Sequence, residues 1–327
     1  MIHTAQALVD VVLEVPRLPV RGGNVMAPAA DRYAGGAVTI LLAAARAGSE
    51  AVHAGSVGSG PNGDLIRTTL QAEGVVVSSP PVLDLDTGIC LVLVEPSAER
   101  TFVTTLGAER HVTVESLATA APGIGDVVCV SGYSLIEPTV SGLLPWLEWL
   151  GSPTGRDVGS TEVVLDPGAI FAELSDEVRE RALACTTVWT SNAEEAEHLC
   201  GTGSLEEAPA RIAGRLDPDA VVVVRDGDRG CAVHVGGPDG RTVVVPGFPQ
   251  TAVDTNGAGD THTGTLCARV ATGEPGRDLD AWVAAARYAN AAAAIKVTRR
   301  GPTTAPSAAE IDAFLAATDV GLTLDTG

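Results

Sequence analysis

The chain has 327 residues, 45% of them hydrophobic but only 3% aromatic, so Ala, Val and Leu must fill its core. Its 21 basic against 41 acidic side chains give a net charge of −20. That charge argues against nucleic-acid or anionic-membrane binding, because phosphate backbones and headgroups attract basic surfaces, but one small phosphate ligand in a local site is compatible with it.

The N-terminal "MIHTAQALVDVVLEVPRLPV" lacks a basic start and a long apolar core, so no secretory signal is expected. Residues 10–34 read as alternating strands without an intervening helix. "EAVHAGSVG" reads as a strand and "NGDLIRTTLQAEG" as a helix closed by Gly74. Residues 86–106, "DTGICLVLVEPSAERTFVTTL", alternate again, and the two alternating stretches are expected to form a small separate sheet. "DVVCVSG" is a buried strand, followed by a helix near Glu137 to Leu150 and an exposed loop at 151–161. "TEVVLDPG" is the next strand, with a helix near Phe171 to Leu183. Then come the strand "TTVWTSN", the helix "AEEAEHLCG", and the strands "DAVVVVRDG" and "GCAVHVG". The final third reads as three helices: "GAGDTHTGTLCARVATG", "DLDAWVAAARYANAAAAIKV" and "SAAEIDAFLAAT". Repeated strand–helix units imply one α/β domain over residues 1–327, a mainly parallel sheet with helices on both faces. No stretch approaches the ~20 apolar residues that span a bilayer. The six cysteines are scattered without a Cys-x-x-Cys, as expected of reduced, buried thiols in a cytoplasmic protein.

"VDTNGAGDTHTG" carries the chemistry. Gly257 and Gly259 allow backbone conformations in which successive N–H groups line one concavity. A helix starting there adds free N–H groups and a partial positive charge of roughly +0.5. Asp260 places a carboxylate beside this anion hole, which is unfavourable unless the carboxylate has a task. Accepting a proton from a hydroxyl next to a transferring phosphoryl group is such a task. Taken alone, the stretch is explained equally well by Asp260 as a helix cap. A Walker-type loop is excluded, because the one lysine, Lys296, lies outside any glycine-rich turn.

The stretch resembles the Asp-Thr-x-Gly-Ala-Gly-Asp signature of the ribokinase-like (PfkB) carbohydrate kinase family. "YAGGAVTILLAAARAG", "GSVGSGPNGD", "TSNAEEAEHLCG", "VVRDGDRGC" and "YANAAAAIKVTRRGPTTAPS" resemble its other elements, in the family's order and over nearly the whole chain. The resemblance implies a ribokinase-like fold with a lid at about 10–34 and 86–106, a homodimer contact through that lid, and ATP-dependent phosphorylation of a small sugar. It implies Asp260 as the general base and Gly257, Ala258 and Gly259 as the anion hole. It implies Asp10, Gly35 and Gly36 at the sugar. Asn192 and Glu195 would organise Mg²⁺ and the phosphates through water, with Gly227, Gly230 and Asn290 at the ATP. Asp254, Asn256, Lys296 and Gly301 match positions whose oxygens, mainly backbone, often bind a monovalent cation such as K⁺.

Two departures bear on the acceptor. Many members have a basic residue and an Asn after the Gly-Gly pair, where this chain has Ala37 and Ile40. An alkyl group cannot bind a sugar hydroxyl, so a neutral acceptor held chiefly by Asp10 is expected, with Arg100 and Arg110 the candidates for a phosphate if one is bound. His262 stands where the family often has Phe and reads as a packed helix residue. A nucleoside kinase is the alternative within the chemistry, with Tyr33 and Phe102 as stacking candidates in the lid. A non-catalytic sugar-binding regulator on the same fold is the alternative outside it.

Overall fold

A computed structural model describes residues 1–97, 99–152, 161–273 and 276–324, with side chains to residue 318. Thirteen strands are formed among the described residues: β1 Ile2–His3, β2 Ala7–Glu14, β3 Ala30–Gly36, β4 Val52–His53, β5 Val76–Val77, β6 Ile89–Val94, β7 Arg100–Thr104, β8 Val127–Ser131, β9 Glu162–Asp166, β10 Val188–Asn192, β11 Val221–Arg225, β12 Gly230–Val235 and β13 Arg241–Pro246. The helices are α1 Ala37–Arg46, α2 Pro61–Ala72, α3 Val114–Ala118, α4 Thr139–Gly151, α5 Asp176–Cys185, α6 Ala193–Cys200, α7 Ala208–Ala213, α8 Ala258–Gly273, α9 Leu279–Val297 and α10 Ala308–Leu324.

Nine strands form one sheet in the order β13-β12-β11-β10-β9-β8-β1-β4-β5. It is parallel from β5 to β11, and β12 and β13 add an antiparallel edge. The apolar runs divide between two helical layers because successive side chains point to opposite faces. Val221 and Val223 pack with Leu266 and Trp282 on one side, while Val222 and Val224 pack with Leu143, Trp146 and Ile212 on the other. This is the doubly covered parallel sheet expected from the strand–helix alternation. No helix among the described residues is long and apolar enough to cross a membrane.

The second sheet runs β3-β2-β6-β7, with Asp10 opposite Tyr33 on its first pair. It confirms a separate small sheet at the two alternating stretches and shifts the bounds to 7–36 and 89–104. Asp86 is not strand: its carboxylate accepts from the N–H groups of Asn62 and Gly63 and caps α2.

Three local expectations need correction. The helix expected at 171–183 is broken: a 3₁₀ turn covers Ala169–Glu173, and α5 restarts where the Ser175 side chain accepts from Val178 N. A hydroxyl at that position satisfies a free N–H and so defines a new helix start. The "EAVHAGSVG" strand is shorter than expected: β4 covers only Val52–His53, and the stretch pairs again at a single bridge between Gly58 and Val82. The "RTVVVP" run, unassigned from the sequence, closes a hairpin as β13. The loop expected at 151–161 falls almost wholly outside the described residues; Gly151 ends α4.

Candidate active site

The C-terminal ends of β9, β10 and β11 lie side by side, so Asp166, Asn192 and Arg225 meet at one edge of the large sheet. In open α/β sheets ligands bind outside that edge. The start of α8 sits over it.

Gly257 has φ +77°, and a Cβ there would come within 2.8 Å of the Pro302 carbonyl, so both conformation and space require glycine. Thr261 N donates to Gly257 O at 2.9 Å, which closes the first turn of α8. Asp260 lies in that turn, half-buried. Burial raises its pKa to about 7; Asp166, Asp10 and Glu195 push the same way, and Arg225 opposes them. Four acidic groups from four elements thus converge.

Arg225 fastens this edge together. Its Nη1 donates to Gly259 O and Thr263 Oγ1, both at 2.8 Å, and its Nε donates to Ser191 O at 3.2 Å. Its Nη2 pairs with Asp166 Oδ2 at 3.2 Å, and the same oxygen accepts from Thr263 Oγ1 at 2.7 Å. Burial would lower the Arg225 pKa, but Asp166, Glu195 and Asp260 more than offset it and the net shift is upward. Neither Arg225 nor Asp166 was singled out in the sequence. The available signal was a charged residue ending each of two apolar strands at the sheet's carboxyl edge.

The residues expected at the sugar, Asp10, Gly35 and Gly36, lie on the small sheet. Asp10, on β2, has its pKa raised to about 6 by burial. A Cβ on Gly35 would collide with the Asp10 carboxylate, so the glycine leaves room for the acid. Gly36 has φ +60° and precedes α1. Ala37 and Ile40 are buried, 3% and 6% exposed, and α1 passes so close to α8 that a Cβ on Gly264 would strike the Ile40 carbonyl. Those two positions pack the core. Arg100 reaches from β7 to Asp254 Oδ1 at 2.8 Å, and Arg110 turns inward, donating to Tyr133 O at 3.0 Å. Phe102 points to solvent at 58% exposed. Tyr133, absent from the sequence reading, is the aromatic at the sheet edge: it is 48% exposed, lies against Gly168, and its hydroxyl pKa is raised by burial and by the charges of Glu195, Asp166, Glu173 and Asp260.

Of the residues expected at the nucleotide, Asn192 and Glu195 form a reciprocal cap on α6. Asn192 Oδ1 accepts from Glu195 N at 2.7 Å, and Glu195 Oε2 accepts from Asn192 N at 2.9 Å. The Glu195 pKa is raised by burial and by Asp166. A divalent cation beside the Glu195 carboxylate would relieve the cost of its charge next to Asp166. Gly227 and Gly230 flank the β11–β12 turn with φ +55° and +95°. Asn290 Nδ2 donates to the carbonyls of Val245 and Pro246 at 3.2 Å, so its amide is committed to β13. His262 is buried, and burial and Arg225 lower its pKa to about 3, which makes it a neutral packed residue as expected.

Of the residues expected to take a monovalent cation, Asp254 has its oxygens engaged within the chain. Asp254 Oδ1 accepts from Arg100 and from Asn256 N, and Oδ2 accepts from Gly301 N at 2.9 Å. The Asp254 carbonyl accepts from Lys296 Nζ at 2.9 Å. An ammonium standing on that carbonyl does not fit a free cation at the same place.

Comparison with known proteins bears on this site. Residues 4–309 match the family model described as pfkB family carbohydrate kinase. An uncharacterized sugar kinase of Escherichia coli strain K12 is 30% identical over 318 residues, covering 93% of this chain and 90% of that protein. An ATP-dependent ribose-1-phosphate kinase of Halopiger xanaduensis is 31% identical over 310 residues, 94% of each. The solved structure of ribokinase from Giardia lamblia superposes with a TM-score of 0.82 at 22% identity, covering 97% of this chain and 98% of that one.

Proposed function

We propose, for a chain that belongs to the pfkB family of carbohydrate kinases, that it transfers the γ-phosphoryl group of ATP to a hydroxyl of a small neutral sugar. The chain is an ATP-dependent carbohydrate kinase, which sets aside the non-catalytic regulator. The observation that carries the finer reading is Asp260. It stands in the first turn of α8 beside the Gly257–Gly259 loop, its pKa is about 7, and the acceptor-side Asp10 lies near enough to contribute to that shift.

In this reading Asp10 accepts hydrogen bonds from adjacent sugar hydroxyls and orients one of them toward Asp260. The Asp260 carboxylate takes that hydroxyl's proton as the oxygen attacks the γ-phosphorus. The bond from phosphorus to the ADP oxygen breaks, and the N–H groups of Gly257, Ala258 and Gly259 receive the charge on the transferring group. Arg225, through the Gly259 carbonyl and Thr263, fixes where those N–H groups point. Asn192 and Glu195 would hold Mg²⁺ largely through water, as suits an ion reluctant to dehydrate. When bound, that ion neutralises phosphate charge. Gly227, Gly230 and Asn290 would border the adenine side.

The ribose-1-phosphate kinase relative takes a phosphorylated acceptor. Here Arg100, Arg110 and Arg225 are engaged by Asp254, the Tyr133 carbonyl and Asp166. A buried dianion without a partner is costly, and this supports a neutral acceptor. A nucleoside acceptor is the second reading, favoured by the half-exposed Tyr133 ring at the sheet edge. The small sheet is further proposed as a homodimer contact, because Phe102 and Val103 on β7, with Val20 and Met26 in the β2–β3 connection and Leu106 after β7, expose apolar surface. ADP release measured over neutral sugars, their phosphates and nucleosides separates the readings. Faster turnover on fructose than on fructose 6-phosphate is expected; preference for the phosphorylated partner across such pairs overturns the neutral acceptor.

A further inference from the structure

Lys296 is the one lysine in the chain, on the last turn of α9, and its side chain is 0% exposed. A buried ammonium needs partners that replace water. Its Nζ donates to the Asp254 carbonyl at 2.9 Å and reaches the Arg299 carbonyl at 3.5 Å. Both are neutral backbone oxygens. The Asp254 carboxylate is turned to Arg100, Asn256 N and Gly301 N instead. An ammonium among carbonyl dipoles is solvated as a bare monovalent cation is. The same spot joins two segments: Val253 N and Asp254 N donate to the Val297 carbonyl at 2.7 and 3.1 Å. Asp254 lies three residues before Gly257, so this knot fixes the approach to the loop. Facing the ammonium are Asp254 from the turn, Arg100 from β7 and Asp260 from α8.

We infer that Lys296 is a tethered substitute for a monovalent cation behind the Gly257–Gly259 loop, so that this kinase needs no K⁺. The inference rests on that loop being the anion hole. A free cation at this place would be gained and lost with the medium. The lysine holds one positive charge and one loop geometry at every salt composition, as a positioning residue that never touches the acceptor.

The experiment compares KCl with tetramethylammonium chloride at equal ionic strength. For the wild type, kcat and melting temperature are expected to be the same in both salts. Lys296→Ala removes the ammonium and leaves space. Its kcat is expected to fall by up to about 10²-fold, the lower end of what losing a direct transition-state donor costs. K⁺ should then restore much of that rate and raise the melting temperature of the variant alone. A wild type that K⁺ activates or stabilises overturns the inference, and so does a Lys296→Ala enzyme that is fully active without K⁺. Because the chain has one lysine, ¹⁵N-lysine labelling gives a single side-chain signal in the unsubstituted protein, and this readout stands if the variant fails to fold. A protected ammonium resonance that KCl does not move is expected. One that is unprotected, or that shifts as K⁺ displaces it, overturns the inference. Melting and resonance need neither sugar nor ATP, so a failure of the proposed reaction and a failure of this inference are read separately.

Discussion

Asp260 illustrates how one side chain is tuned by its neighbours. Burial and the charges of Asp166, Asp10 and Glu195 bring its pKa to about 7, with Arg225 pulling the other way. In its proposed role as base Asp260 works in the deprotonated form, so kcat is expected to rise with pH through about 7 and to fall below it. Asp260→Asn keeps the shape but cannot accept the proton. Its kcat should drop by roughly 10²–10⁴-fold with ATP binding retained, and the acid limb of the pH profile should vanish. Steady-state kinetics with a nucleotide titration check this; near-normal turnover in the variant would remove Asp260 from the base role. The signature made Asp260 legible in the sequence. Arg225 and Asp166 were not, because a charged residue ending a strand looks like any solvated chain end until the fold lays three strand ends together. Lys296 was seen in sequence only as a member of a cation site, since nothing in "AIKV" says that the side chain turns back onto the Asp254 carbonyl.

At the scale of elements, the Asn192–Glu195 pair has two roles in one geometry. It closes the start of α6, and it sets a carboxylate beside Asp166. Glu195→Gln separates the roles, because Gln also serves in a capping box while losing the charge. The Mg²⁺ concentration for half-maximal rate should rise more than the KM for the acceptor, with melting temperature nearly unchanged. An unmoved Mg²⁺ titration would leave the pair with capping alone. Elements with long apolar periodicity were legible: β8, β10, β11 and helices α8 and α9 stand where the pattern put them. Those that were missed or came out shorter than read have weak local signals. β1 and β4 are two residues each, and β13 begins on Arg241 and Thr242, which read as loop until β12 supplies a partner. The single helix expected through Leu174 and Ser175 ignored the hydroxyl that restarts it.

At the scale of the whole molecule, stability should depend on pH through its buried histidines. Burial lowers the pKa of His3 to about 3, of His53 to about 4 and of His262 to about 3, against 6.5 for a free side chain. The folded state therefore keeps them neutral. Their stabilising share is present above about 6.5 and is lost as pH falls toward the folded values, since the unfolded chain takes up protons first. Each group steepens the loss by up to about 1.4 kcal/mol per pH unit. His262→Phe removes one of them within the core, so the drop in urea midpoint between about pH 7 and about pH 5 should shrink. An undiminished drop would mean that His262 is not held neutral.

The sheet order has a consequence for how the molecule could change its substrate. Strands β5, β4, β1 and β8, with the small sheet, come from the first half of the chain, and β9 to β13 with α8 come from the second. On the proposed assignments, the stretch up to α4 furnishes the acceptor wall and the stretch from β9 onward furnishes the donor machinery. Within the large sheet the seam between the two lies at β8–β9, and outside the sheet α1 packs on α8 and Arg100 pairs with Asp254. On those assignments acceptor preference and nucleotide handling lie on separate lengths of sequence, and a graft at that seam from a relative with another acceptor would exchange the first and leave the second in place where the α1–α8 packing and the Arg100–Asp254 pair are kept.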